Sequence, residues 1–142
     1  MKSKQIIKLT SLADTVGWAQ KISQEVKPGM FLLLVGDLGA GKTTFTKFLL
    51  SQLGVQEKVT SPSFVIMNEY ETSTLKICHL DAYRLSAEED LLFYLDDPDQ
   101  TLNIIEWPYQ VAFDYHAYPC LQLTFEKQAQ TQERLLIMER NY

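Results

Sequence analysis

The stretch Gly36-Asp37-Leu38-Gly39-Ala40-Gly41-Lys42-Thr43 has the pattern Gly-x-x-x-x-Gly-Lys-Thr. An apolar run, Met30 to Val35, comes directly before it and is typical of a strand buried on both faces of a parallel sheet. Apolar residues at helical spacing follow it, and Gly54 suits the end of that helix. A strand, a glycine-rich loop and a helix in this order form a P-loop, whose backbone N–H groups and helix N-terminus bind phosphates. The stretch therefore predicts binding of a nucleoside triphosphate with Mg²⁺.

The residues of this loop have distinct predicted roles. The glycines let the backbone wrap around the phosphates, Lys42 can reach the β- and γ-phosphates, and the Thr43 hydroxyl can ligate Mg²⁺. The spacing of the glycines does not fit the dinucleotide-binding pattern Gly-x-Gly-x-x-Gly. The residues predicted to contact the nucleotide here are Asp37, Leu38, Gly39, Ala40, Gly41, Lys42, Thr43 and Thr44.

Two acidic residues that end strand-like runs are candidates for holding the metal ion. Asp81 ends the run Leu75 to Leu80, and Glu106 ends the run Leu102 to Ile105. Because parallel strands deliver their carboxyl ends to the ligand edge of a sheet, both side chains are expected beside the phosphate loop. Either residue is a candidate for the direct Mg²⁺ ligand. Alternatively, either could be an ordinary acid at a strand end that is exposed to solvent.

The remaining pattern predicts the fold class. Gln5 to Leu9 is strand-like, and Ser11 with Asp14 marks the start of an amphipathic helix that ends before Pro28-Gly29. We expect an α/β, P-loop NTPase-like three-layer sandwich with a mixed central sheet flanked by helices. Further strands are predicted at Phe64 to Glu71, Leu75 to Leu80, Leu102 to Trp107, Leu121 to Phe125 and Leu135 to Met138, and a third helix from Ser86 to Leu95.

Length and charge restrict the possible functions. The 142 residues suit a single domain, and no repeat or linker divides residues 1–142. No stretch approaches the roughly 20 apolar residues that span a bilayer, and no signal-peptide pattern is present, so we expect a cytoplasmic protein without membrane contact. The formal net charge of −5 argues against a chain that binds nucleic acid alone, because such binding relies on Lys and Arg. The same net charge is compatible with an acidic subunit of a larger complex that handles nucleic acid.

Other polar and aromatic residues are weaker candidates. The segment Thr60-Ser61-Pro62-Ser63 could form a switch that contacts Mg²⁺ or the γ-phosphate, with an ordinary proline turn as the alternative. Arg84 could stabilise transition-state charge or dock a partner, or it could be an ordinary surface residue. His79 and Trp107 are more typical of structural packing.

Four motifs occur in order along the chain. Gly36 to Phe45 is followed by Thr60-Ser61-Pro62-Ser63-Phe64, His79-Leu80-Asp81-Ala82-Tyr83-Arg84-Leu85 and Ile104-Ile105-Glu106-Trp107-Pro108. Together they resemble the bacterial TsaE (YjeE) family of ATPases in tRNA threonylcarbamoyladenosine biosynthesis, over nearly the whole chain. The resemblance implies a compact ATPase that works with the TsaB–TsaD complex. TsaD would transfer the threonylcarbamoyl group to the adenosine beside the anticodon, and ATP hydrolysis would reset the complex between turnovers.

The resemblance also implies a catalytic arrangement. Lys42 would contact the phosphates, Thr43 and Glu106 would hold Mg²⁺, and Asp81 would lie beside them, either behind the direct ligands or as a water-positioning acid. ATPase activity is expected to be weak in the isolated chain and stimulated by its partners, which would contact the tRNA.

Peripheral roles follow from the same resemblance. Thr60, Ser61 and Ser63 would belong to a switch-like segment. Arg84 and Trp107 would contact a partner or phosphate, and Thr10 would lie near the nucleotide base.

Two other functions are alternatives to this one. A small-molecule kinase of the P-loop class would need an arginine-rich lid, and no Arg cluster occurs in the sequence. A nucleotide-gated binding module with negligible turnover would use the same residues, because positioning and chemistry share them.

Overall fold

The computed structural model describes residues 3–57, 59, 67–129 and 131–142. Within these residues the chain forms one seven-stranded sheet and two α-helices. The elements in chain order are β1 (Ser3–Leu9), α1 (Leu12–Ser23), β2 (Phe31–Val35), α2 (Lys42–Gln52), β3 (Met67–Glu71), β4 (Lys76–Asp81), β5 (Thr101–Glu106), β6 (Cys120–Lys127) and β7 (Arg134–Arg140).

The strand order across the sheet is β1-β7-β6-β2-β5-β4-β3. The four strands β6, β2, β5 and β4 run parallel, while β1, β7 and β3 are antiparallel to their neighbours. The predicted mixed sheet is therefore confirmed. Because β2 lies in the parallel part, the loop that follows it emerges at the edge where β4 and β5 also end, which is where α/β sheets bind ligands.

The two α-helices cover the same face of the sheet. Alternate residues of β2 divide between the two faces: Leu32 and Leu34 belong to the core under the helices, and Phe31 and Leu33 belong to the core on the other side. All four side chains are buried, as expected of a central parallel strand.

The third layer is not α-helical. Segments 82–95 and 108–118 cover the second face with short 3₁₀ turns, and contribute buried side chains such as Leu91 and Tyr115. The α/β fold class is as predicted, but this layer contains no α-helix among the described residues.

The helix predicted from Ser86 to Leu95 is absent, and only Leu91–Phe93 forms a 3₁₀ turn. Glu89 does accept a hydrogen bond from the Ser86 N–H, at 3.0 Å, as a capping pair would. However, Asp90 has an extended backbone and its own carboxylate accepts from the Leu92 N–H. Local side-chain bonds of this kind compete with helical bonds, and a segment this short is too marginal as a helix to overcome them.

The start of the first helix agrees with the prediction. The Ser11 hydroxyl accepts from the Asp14 N–H at 3.2 Å, while the Asp14 carboxylate accepts from the Thr10 N–H at 2.8 Å.

Of the strand predicted at Phe64 to Glu71, the part before Met67 lies outside the described residues. Among the helices that the structure describes, none is long and apolar enough to cross a bilayer.

Candidate nucleotide-binding site

A cavity of about 450 Å³ lies at the carboxyl edge of the parallel strands. The P-loop and the first turn of α2 form one wall, and the ends of β4 and β5 form the floor. The lining residues are Leu9, Thr10, Ser11, Leu12, Thr15, Leu38, Gly39, Ala40, Gly41, Lys42, Thr43, Thr44, Asp81, Glu106, Trp107, Phe125, Gln132 and Arg134.

Two glycines give the loop its shape. At Gly36, a Cβ atom would stand 2.6 Å from the Phe125 carbonyl oxygen, so only glycine lets the loop pass this close to β6. Gly41 has a φ of 114° and precedes α2 without providing a side-chain cap. The N–H groups of the first turn of α2 are therefore left for an external acceptor, and the helix dipole favours a negatively charged one.

Lys42 is buried and unpaired. Its side chain is 5% exposed, and its Nζ has no hydrogen-bond partner among the described residues. The Nζ atom lies 4.1 Å from the centroid of the Trp107 ring. Burial lowers the Lys42 pKa, while the nearby carboxylates of Glu106, Asp81 and Asp37 oppose that effect. An ammonium group without an acceptor is costly to bury, so its position fits a site that an anionic ligand completes.

The two candidate carboxylates lie side by side. Asp81 and Glu106 are register partners on neighbouring parallel strands. The Asp81 Oδ1 accepts a hydrogen bond from the Tyr83 N–H at 2.9 Å, and burial raises the Asp81 pKa. Glu106 is 4% exposed, and its Oε2 lies 2.7 Å from the Nε2 of His79.

The oxygen atoms at this edge suit Mg²⁺. Thr43, Asp81 and Glu106 all line the cavity. In the described part of the chain no group of three or more His, Cys, Asp or Glu side chains forms a self-sufficient metal site. Proteins usually hold Mg²⁺ by one or two carboxylates together with ligand phosphates and waters.

The remaining predicted residues are placed as follows. Thr10 lines the cavity, and both its N–H and its hydroxyl donate to the Asp14 carboxylate. Asp37 and Arg84 are exposed and do not line it, although the Asp37 carbonyl accepts from the Ala40 N–H within the loop. Thr60, Ser61 and Ser63 lie outside the described residues.

Trp107 sits in a strained backbone conformation. Its φ of 55° is left-handed, which costs a non-glycine residue roughly 1–2 kcal/mol. This backbone conformation turns the chain after β5. The Trp107 ring then packs against Lys42 and against Tyr83, whose ring centroid is 4.9 Å away. Trp107 was expected to be a packing residue by pattern alone, and it lines the cavity.

The sequence pattern did not identify several residues at or beside the cavity, among them Gln132, Arg134 and His79. Gln132 and Arg134 reach the cavity from the β6–β7 hairpin, and nothing in their local sequence marks them. His79 was interpreted as structural, yet it contacts Glu106. Its placement two residues before Asp81 on one strand was the available signal, because such residues share a face.

Known proteins resemble this chain over most of its length. A family model described as threonylcarbamoyl adenosine biosynthesis protein TsaE matches residues 9–136. A protein of Synechocystis named tRNA threonylcarbamoyladenosine biosynthesis protein TsaE is 40% identical over 106 residues, which are 70% of this chain and 68% of that protein. The protein of the same name from Bacillus subtilis is 40% identical over 99 residues, 69% of this chain and 63% of its own length.

A solved structure also matches over most of its length. The crystal structure of Bacillus subtilis YdiB superimposes with a TM-score of 0.75 at 30% sequence identity, covering 97% of this chain and 86% of that one. The family match covers the P-loop, both strand-end acids and Arg134. The chain therefore belongs to the TsaE family.

Proposed function

We propose that this chain is the ATP-hydrolysing component that supports threonylcarbamoyladenosine formation on tRNA, acting with TsaB and TsaD. One observation carries the ATPase part of the proposal. The Lys42 ammonium, buried and without a hydrogen-bond partner among the described residues, lines the same cavity as Asp81 and Glu106, whose charges act on it. The names of its relatives carry the tRNA part.

In this proposal the chain's own groups divide the work of binding. The P-loop N–H groups and Lys42 hold the phosphates, which relieves the unpaired burial of Lys42. Thr43 and Glu106 hold Mg²⁺, which when bound neutralises charge on the phosphate oxygens. Thr10, Gln132 and Arg134, which line the cavity, are assigned to the nucleoside.

Asp81 is assigned to the attacking water. Its Oδ1 is fixed by the Tyr83 N–H, so we assign Oδ2 to the water. Orienting water beside a phosphate is the usual contribution of a protein group to this chemistry, because little covalent work is required of the protein.

The partner requirement is supported by charge. The chain carries a net charge of −5, so contact with the tRNA is assigned to TsaB–TsaD, and hydrolysis here resets that complex between turnovers.

The test is reconstitution of tRNA modification with TsaB and TsaD. We expect multiple-turnover modification to require this chain and ATP, to be abolished by Lys42→Ala and to be largely lost in Glu106→Ala. Lys47→Ala is the matched control, since Lys47 is an exposed residue of the same helix. Modification that continues without this chain would contradict the tRNA role. Full turnover with a non-hydrolysable ATP analogue would instead indicate a nucleotide-gated binding module.

A further inference from the structure

His79 and Glu106 form a buried pair at the floor of the cavity. Their side chains are 1% and 5% exposed, and the His79 Nε2 lies 2.7 Å from the Glu106 Oε2. The two residues stand on neighbouring parallel strands, His79 opposite Ile104 in the register. The contact therefore lies on one face of the sheet, and His79 stands two residues before Asp81, which meets Glu106 at the carboxyl edge beside the cavity.

The direction of this hydrogen bond follows from its chemistry. An ionised carboxylate only accepts hydrogen bonds, so the His79 Nε2 carries the hydrogen and donates it. The His79 Nδ1 is buried without a hydrogen-bond partner among the described residues. Among the described residues, the imidazole therefore makes its polar contact with Glu106, and no second hydrogen bond at Nδ1 competes with it.

Among the described residues, the other carboxylate oxygen of Glu106, Oε1, has no hydrogen-bond partner. Oε2 is held from the side of the sheet by His79, while the negative charge of Glu106 still acts on Lys42, the P-loop lysine. A carboxylate held at one oxygen presents the other in a fixed direction. Holding a metal-ligating carboxylate in this way is a recognised use of residues behind a metal site.

We propose that His79 is a positioning residue that orients Glu106 for Mg²⁺ bound together with the nucleotide. This inference rests on the proposed function, because Glu106 is a Mg²⁺ ligand only in that proposal. His79 itself touches neither nucleotide nor metal ion. Its loss leaves Glu106 with an unbound Oε2 and a free choice of rotamer, so the effect falls on Mg²⁺ binding and not on the phosphate loop.

The test compares His79→Leu, His79→Asn and His79→Gln with the unaltered chain. Gln carries an amide N–H close to the place of the imidazole Nε2, whereas the Asn amide is too short to reach it. Binding of the analogue AMPPNP is measured by calorimetry in EDTA and over a series of Mg²⁺ concentrations. Ile77→Val is the control, because Ile77 is a buried residue of the same strand and face that lies outside the cavity lining.

We expect Leu and Asn to raise the Mg²⁺ concentration for half-maximal binding by about 10-fold or more, and Gln by no more than about threefold. The affinity for AMPPNP in EDTA should stay within about twofold of that of the unaltered chain in all variants, since the phosphate loop is unchanged. If the Leu variant does not fold, the Asn–Gln pair carries the same comparison.

Three outcomes would overturn the inference. They are an unchanged Mg²⁺ requirement in the Leu and Asn variants, a Gln variant as impaired as Asn, or an equal loss of affinity with EDTA and with Mg²⁺, which would make His79 merely structural. Failure of the unaltered chain to bind AMPPNP at any Mg²⁺ concentration is a different result, because it would remove the proposed function and the inference with it.

Discussion

At the scale of single residues, the candidate site holds charged groups where the folded state disfavours their charge. Burial lowers the pKa of Lys42 and raises the pKa of Asp81. Each group would be easier to accommodate in its neutral form, so holding both charges lowers the stability of the folded chain. That cost is expected at a functional site whose ligand supplies the missing charge.

Asp81→Asn is expected to stabilise the nucleotide-free chain near neutral pH. The pKa of Asp81 is raised in the folded state, so its carboxyl favours folding when protonated, and that contribution is lost as the pH rises through the folded-state pKa. Asn keeps the oxygen that accepts from the Tyr83 N–H and removes the charge. Thermal unfolding should show a higher Tm for the variant near neutral pH. This difference in Tm should shrink as the pH falls toward 3.8, the ordinary pKa of an Asp carboxyl.

The control for this experiment is Asp96→Asn, because Asp96 is exposed and lies outside the cavity lining. An Asp81→Asn variant that is no more stable than the unaltered chain near neutral pH would contradict the prediction.

At the scale of elements, two glycines are expected to respond oppositely to alanine. Gly17 lies inside α1, and a Cβ there would meet no atom within 4 Å. Gly17→Ala should therefore raise the free energy of unfolding by about 0.5–1 kcal/mol, the usual gain in a helix interior. Gly36→Ala should destabilise the fold and weaken nucleotide binding, because its Cβ would collide with the Phe125 carbonyl oxygen.

Denaturant unfolding checks both variants in one series, and each serves as the other's control. Equal effects of the two substitutions, in either direction, would mean that the close approach of the loop to β6 is not what requires Gly36.

A second prediction at this scale concerns the connection between the turn after α1 and the end of β7. Arg140 donates to both carboxylate oxygens of Glu25, from Nε at 2.6 Å and from Nη2 at 2.8 Å, and the Tyr142 hydroxyl also bonds to Glu25. The hydrogen bonds from Arg140 lower the Glu25 pKa more than any other contribution. Arg140→Met should cost about 1 kcal/mol of unfolding free energy near neutral pH.

The pH dependence of this cost has a definite sign. A lowered folded-state pKa contributes stability above the unfolded value of the carboxyl, and this contribution is lost as the pH falls through the folded-state pKa. The cost of Arg140→Met, measured by denaturant unfolding, should accordingly shrink in acid. Lys8→Met is the control, since Lys8 is 61% exposed in its pair with Glu133 and should contribute less. A cost that grows as the pH falls would be inconsistent with the Glu25 contact.

At the scale of the whole molecule, ligand binding should be visible as stability. A ligand at about 100 times its dissociation constant adds about 2.7 kcal/mol to the unfolding free energy. For a chain of this size that corresponds to a rise in Tm of roughly 5–10 °C. We expect such a rise with ATP and Mg²⁺, a smaller one with ATP in EDTA, and none with Lys42→Ala. The same rise in Lys42→Ala would mean that the nucleotide binds elsewhere.

Much of the site was open to prediction because its chemistry is local in sequence. The P-loop is eight consecutive residues, and each of the two acids ends a strand-like run. The structure gathers Lys42, Asp81 and Glu106 into one cavity, as parallel strands ending at one edge require. The helix predicted from Ser86 failed for a local reason too: Asp90 bonds to the backbone and keeps it extended.

The sequence by itself thus determined the fold class, the phosphate loop and the strand-end carboxylates, because strand and helix periodicity and loop chemistry act over a few residues. Only the tertiary structure decided which distant side chains share the site. His79 and Glu106 are 27 residues apart, and they meet because β4 and β5 are neighbours in parallel register. Gln132 and Arg134 reach the cavity only because of how the β6–β7 hairpin is placed. Such contacts depend on strand order, which is set by the packing of the whole chain and not by any single segment.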